Sequence, residues 1–317
     1  MKCQKCRRNQ KYVDGMKCVC GYQFALDPKT DKISDGKFNS FIRRASANNT
    51  YYFTSEQLYT AVCEKQVSGV AALILGPIVL VGGVIAAFYF WPEVPPLVAI
   101  VVGILITTHG CYNHYFQVVP ISQFETWLKK FEKQHGRIEK LVSRLSLDKP
   151  PPEWNEPDIF DYGVERIIIV ERWILVDLLV KNGVHTSNSA LIVAADGYPA
   201  YLTQRVETLL SESPELPVFL LHDATTKGIH WADGIKLARP YNNGKRKIVD
   251  MGVSPDDLSK LKRLRRRRMR KQKFIGPVDA IPMALLANGI VMSTDQNLTI
   301  AELIEQSASP DATSSFG

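Results

Sequence analysis

Four cysteines crowd the first twenty residues: Cys3 and Cys6 form a Cys-x-x-Cys pair, and Cys18 and Cys20 a Cys-x-Cys pair followed by Gly21. Zinc takes four thiolates at about 2.3 Å in tetrahedral geometry, and two close-spaced pairs joined by a turn deliver them. The chain starts without the apolar core of a secretory signal, so clustered thiols are read as metal ligands rather than disulfides. With four protein ligands the site is closed and structural, a zinc-ribbon-like module over residues 1–30. Cys63 and Cys111 belong to no spacing motif and are read as structural. Carboxylates provide the second chemistry. Glu171 and Asp223 each end an apolar run. The third element is charge. Residues 260–273 hold ten Lys or Arg and no acid, so against a net charge of +7 the rest of the chain sums to −3. The pI near 9.0 thus reports one segment. That segment points to a local anionic partner.

The elements that must position these groups follow from apolar periodicity. Residues 166–170 read as a buried strand ending at Glu171, and 173–181 as a helix stopped by Asn182 and Gly183. Residues 190–194 read as a second strand, 203–211 as a helix, and 217–221 as a third strand ending at His222 and Asp223. Alternating strands and helices of this kind imply an α/β domain with a mostly parallel sheet, here over 151–305. Acids at the carboxyl ends of parallel strands fall in the crevice where such sheets bind ligands, so Glu171 and Asp223 are expected to share a site.

Upstream, residues 31–66 read as a polar connecting region. Residues 67–91 carry no charge over twenty-five positions, more than the roughly 20 needed to cross a bilayer core. A turn at 92–96 and a second apolar stretch predict a transmembrane hairpin over 67–119, kinked at Pro77, with His109 and His114 at the interface. Arg43, Arg44 and Lys65 precede the hairpin and Lys129, Lys130 and Lys133 follow it. The connecting turn has neither Lys nor Arg, which predicts a multi-pass inner (cytoplasmic) membrane protein with both termini cytoplasmic. In 120–150, Phe124, Trp127, Leu128, Phe131, Ile138, Leu141 and Leu145 suit an amphipathic helix running to about 147, before a Pro-rich linker. Residues 306–317 are small and polar and read as a disordered tail.

Glu171 after its strand, the Asn182–Gly183 stop, the run 191–199 (LIVAADGYP) and the run 217–228 (PVFLLHDATTKG) together resemble a Toprim domain. They are most similar to the Toprim domain of the topoisomerase VI A protein and its meiotic double-strand-break relatives, over about 164–260. The segment 251–258 (MGVSPDDL) resembles the stretch that follows such a domain. The resemblance implies a Rossmann-like parallel sheet in which a glutamate after the first strand and an Asp-x-Asp pair after a later strand hold magnesium. Glu171 takes the first position, as general acid/base or metal ligand, and Asp223 the first Asp. Thr225 stands where the second Asp belongs, with Asp196 or Asp233 as compensating acids. His222 reads as a strand-end structural histidine or a general base. Lys227, after a Thr-Thr turn and before Gly228, reads as a phosphate contact or a solvated lysine. The winged-helix domain with a catalytic tyrosine that the resemblance implies has no counterpart upstream, so a topoisomerase is not expected.

In the basic run, Arg263, Arg265, Arg266, Arg267, Arg268, Arg270 and Lys271 suit either DNA or RNA phosphates, with salt-dependent affinity, or anionic lipid. The expectation is therefore a membrane-tethered Toprim-like protein that engages nucleic acid, in bacterial antiviral or plasmid defence. Two versions stay open: a Mg²⁺-dependent nuclease using Glu171 and Asp223, and an inactive scaffold joining protein or lipid partners.

Overall fold

The computed structural model describes residues 1–65, 119–147, 163–255 and 276–296, with a few residues between 77 and 108 and at 149, 299, 300 and 302. Helices α1 (Asp35–Ala45) and α2 (Ser55–Lys65) pack with α3 (Ile121–His135) around one apolar core. Each helix has an apolar stripe at helical spacing: Phe38 and Phe41 on α1, Leu58 and Val62 on α2, and Phe124, Trp127 and Phe131 on α3. These rings and branched chains are all buried, because positions three and four apart share a face. The segment 31–66, read from sequence as a polar connection, is thus a folded helical pair. Helix α3 ends at Gly136, whose N–H caps the Glu132 carbonyl. Its predicted continuation to 147 is replaced by β2 (Leu141–Val142), which pairs in parallel with β1 (Phe53–Thr54). Ile138 and Leu141 reach the same core from extended chain.

The expected inner-membrane localisation with cytoplasmic termini is corrected. Among the described residues no helix is long and apolar enough to cross a membrane. The longest described helix, α3 with 15 residues, spans about 22 Å at 1.5 Å per residue, short of a core of about 30 Å. Most of 67–119, where the hairpin was expected, lies outside the described residues, as do the basic run 260–273 and the tail 306–317.

The second core surrounds a four-stranded parallel sheet of order β4-β3-β5-β6. Its strands are β3 (Arg166–Val170), β4 (Ala190–Ala194), β5 (Val218–Leu221) and β6 (Ile248–Asp250). Ile167, Ile168, Ile169 and Val170 are all fully buried. Continuous β-branched residues rather than alternation are what a strand covered on both faces requires. Helix α4 (Trp173–Lys181) leads from β3 to β4 on one side, and α5 (Ala200–Glu212) crosses back to β5. Helix α6 (Thr226–Leu237) leads on to β6, and α7 (Met283–Gln296) completes the core. The connections leaving β3 and β5 run in opposite directions along the sheet. Their carboxyl ends therefore frame a topological switch point, the crevice where parallel sheets take ligands.

The two cores are joined by polar contacts between distant segments. The Asn182 side chain accepts from Tyr52 N–H at 2.9 Å and donates to the Tyr52 carbonyl at 3.0 Å. Buried Gln57 donates to the Ile281 carbonyl at 2.8 Å, and Thr54 Oγ1 to the Asp279 carbonyl at 3.4 Å.

Candidate functional site

At the N-terminus, isolated antiparallel bridges Lys2–Asn9 and Lys17–Gln23 bend the chain into two turns, each carrying one cysteine pair. The Cys3 and Cys20 sulfurs lie 3.5 Å apart and those of Cys6 and Cys18 3.6 Å apart, and all four fall within 4.8 Å of one another. A tetrahedral ion with metal–sulfur bonds of about 2.3 Å places its sulfurs about 3.8 Å apart, so the four thiols fit a metal ion. Burial works against ionisation of Cys3, but the backbone N–H groups of Cys6 and Lys5 and the neighbouring thiols pull it down to about 6. For Cys18 the Cys20 backbone favours the thiolate, yet burial and the other three thiols push it up to about 11. One thiolate forms readily, and further negative charge among the four calls for a cation. Tyr22, just after the second pair, ties this module to the helices. Its hydroxyl donates to Asp35 Oδ2 at 2.7 Å, and its ring stacks on His135. Asp35 is fully buried and also accepts from the Ala25 and Leu26 backbone and pairs with His135.

At the switch point the structure brings Glu171 and Asp223 together. Glu171 follows β3 and Asp223 follows β5. Asp223 N–H donates to Glu171 Oε2 at 2.9 Å. Helix α6 begins against them so closely that a Cβ on Gly228 would lie 2.3 Å from the Asp223 carbonyl and 3.0 Å from Glu171 Oε2. Thr225, in the place of a second Asp, is the N-cap of α6, its Oγ1 accepting from Gly228 N–H at 2.8 Å. Threonine is a good N-cap residue, and this use removes the Gly228 donor from any phosphate cradle. Lys227 is exposed, Asp196 lies on an exposed turn after β4, and Asp233 pairs with Lys236 along α6. Neither Asp196 nor Asp233 is brought to the Glu171–Asp223 pair as a compensating acid.

Residues that sequence reasoning missed dominate the charge balance. Arg172, adjacent to Glu171, places Nε 2.7 Å from Asp223 Oδ2 and Nη2 2.8 Å from Asp223 Oδ1. Nη2 also pairs with fully buried Asp279. Val278 N–H adds a second hydrogen bond to Asp223, reaching Oδ1 at 2.8 Å. Burial opposes the guanidinium, but Asp279 and then Asp223 hold its charge more firmly than usual.

Beside this cluster, buried His222 places Nδ1 2.8 Å from the Asp223 carbonyl and Nε2 3.1 Å from Asp250 Oδ1. A carbonyl only accepts, so Nδ1 carries a proton. Nε2 facing a carboxylate carries another, making the ring an imidazolium. Burial works against that charge, yet Asp250 and the Asp223 carbonyl raise the histidine above its ordinary value. Burial likewise opposes the Asp250 carboxylate, but His222 and Lys236 hold it down at about 2. Lys236 Nζ lies 2.9 Å from Asp250 Oδ2. Gly252 permits this packing, since a Cβ there would lie 2.1 Å from His222 Nε2. Among the described residues, Asp223, Asp279 and Asp250 are each ion-paired, while Glu171 accepts from Asp223 N–H and its charge helps to raise His222.

The Toprim resemblance implies magnesium at Glu171 and Asp223, and the side chains do not fit it. Arg172 hydrogen-bonds Asp223 Oδ1 and sets its charge against Oδ2, and the Thr225 hydroxyl is spent on a helix cap. Among the described residues, the group of three or more metal-type ligands that comes together is the cysteine set.

A parallel sheet with a glutamate after its first strand and an aspartate after its third, both at the switch point, is the arrangement of an α/β domain that the Toprim resemblance implies. Residues 166–273 match the Toprim domain family of the topoisomerase 6 A and Spo11 proteins. A curated relative is the A chain of the Type 2 DNA topoisomerase 6 of Methanothermobacter thermautotrophicus, 33% identical over 95 residues, which is 30% of this chain. The matched stretch spans 27% of the length of that relative. No solved structure matches the chain significantly.

Proposed function

We propose that this protein binds nucleic acid through its Toprim-type domain, with zinc holding the N-terminal module and the acidic crevice not cutting the bound strand. The observation that carries this reading is the match of residues 166–273 to a domain whose curated relative is named as part of a DNA topoisomerase. The matched stretch includes the run 260–273, whose ten positive charges suit phosphates. Binding is favoured over cleavage because Asp223 is already ion-paired and Thr225 replaces a carboxylate with a helix cap. Phosphate transfer by metal ions needs carboxylates free to hold them. The expected role in antiviral or plasmid defence rested on joining this domain to a membrane anchor, and it goes with the anchor.

The test uses the full chain with labelled DNA and RNA over a salt series, with and without magnesium. Binding is expected at low salt and to weaken as salt rises. Replacing Arg265, Arg266, Arg267 and Arg268 with Gln lowers the slope of log affinity against log salt by up to about 3.6 on duplex DNA. Absence of binding at low salt, or retention of the run's effect only on anionic vesicles, overturns the reading. Magnesium-dependent nicking that disappears in Glu171→Ala overturns its non-cleaving part.

A further inference from the structure

We infer that Arg172 stands in for a divalent cation, so that the acidic crevice is closed around a guanidinium and takes up no metal ion of its own. The inference rests on the Toprim-type reading of the site and concerns what neutralises it.

A divalent ion in such a crevice draws two carboxylates toward one centre. Here Arg172 Nη2 is that centre, 2.8 Å from Asp223 Oδ1 and in contact with Asp279 Oδ1 as well. Nε lies 2.7 Å from the second Asp223 oxygen, close enough to neutralise it though not aligned to hydrogen-bond it. A metal entering would have to displace both guanidinium contacts. It would also have to share Asp223 Oδ1 with the Val278 N–H, whose positive end repels it. Hard cations such as Mg²⁺ demand near-octahedral oxygen ligands, and Thr225 Oγ1 is already accepting from Gly228 N–H. Arginine keeps its charge at any pH a protein meets. It is also tethered one residue from Glu171, so it never dissociates as an ion would.

The seat is held from the far side too. Asp279 is completely buried, and its backbone segment is tied to the N-terminal helical part through Thr54 and Gln57. The guanidinium is therefore fixed by two carboxylates on two independently anchored segments, an arrangement expected of a permanent part rather than a surface side chain.

The full-length, zinc-loaded protein is titrated with Mn²⁺, following free Mn²⁺ by electron paramagnetic resonance and thermal stability in parallel. The wild type is expected to take up no Mn²⁺ that depends on the crevice, giving the same titration as Asp223→Asn and Glu171→Gln. Arg172→Gln is expected to lower the unfolding temperature, to take up one Mn²⁺ and to regain stability with it, and Arg172→Gln combined with Asp223→Asn to lose that uptake. Arg172→Lys, which keeps the charge, stays insensitive to Mn²⁺. Wild-type Mn²⁺ binding that Asp223→Asn or Glu171→Gln abolishes overturns the inference. So does a folded Arg172→Gln that ignores Mn²⁺. Should Arg172→Gln not fold, the wild-type comparison decides alone. No nucleic acid enters this experiment, so its outcome is separate from that of the binding test.

Discussion

Among the described residues, the cysteine set and the acids of the sheet crevice have opposite charge balance. The four N-terminal cysteines face one another with no basic side chain among their sulfur contacts, so each further thiolate adds unneutralised charge. The acids of the sheet crevice arrive with their cations built in: Arg172 between Asp223 and Asp279, His222 and Lys236 on Asp250. Ligand type alone does not say whether a site wants an ion. What decides is whether the fold has already supplied the counter-charge.

The comparison breaks most visibly at the cysteines. Chelation, or Cys3→Ser or Cys18→Ser, is expected to release one zinc per chain and unfold the backbone around residues 1–24. Structural zinc sites bind with about 10 kcal/mol or more. Metal analysis with amide exchange checks this, and a reduced protein lacking stoichiometric zinc sinks it. The same chelator should leave exchange in the parallel sheet unchanged.

On the acidic side, Asp279→Asn removes one of the two carboxylates that clasp Arg172. Breaking a buried pair costs about 3 kcal/mol, read from denaturant unfolding, and added magnesium should not restore it. A change below experimental error would show that Asp223 alone fixes the guanidinium.

The smallest effect, on the order of 2 kcal/mol for a charged hydrogen bond, sharpens the picture through pH. His222 is raised above 6.5 in the folded protein. Its contribution is therefore fully present below 6.5 and lost as pH rises through the raised folded value. Asp250 is lowered from 3.8 to about 2, so its contribution is present above 3.8 and lost as pH falls toward 2. The stability difference between wild type and His222→Gln should accordingly shrink as the solution becomes alkaline. A difference that stays constant from mildly acidic to alkaline pH would mean the ring is neutral.

Much of the sheet was legible from local pattern. Strands 166–170 and 190–194 and the helix between them match their predicted bounds, because short β-branched runs and the Asn182–Gly183 stop are local signals. Glu171 and Asp223 were legible as strand-end acids. Arg172 was not, because its meaning depends on Asp223 and Asp279, 51 and 107 residues away. An arginine directly after a strand-end acid is the one hint the sequence carried. Asp250 was missed with its strand, a three-residue edge element with no continuous apolar run. The helices at 35–65 were missed although Phe38 and Phe41, and Leu58 and Val62, stand at helical spacing. The polar residues between them hid the stripe.

The hydrogen bonds from Thr54 and Gln57 to residues 279 and 281 span 225 and 224 positions of the chain. Contacts of such long range are slow to form, because the intervening chain must first be brought to order. During synthesis the sheet strands up to residue 250 emerge well before residue 279, so Asp223 and Arg172 meet before Asp279 exists to hold them. The crevice acquires its final charge balance only once residue 281 has left the ribosome. A released chain truncated after about residue 260 should therefore present a sheet whose acidic end is still open, and should be cut there by a protease that leaves the finished protein intact.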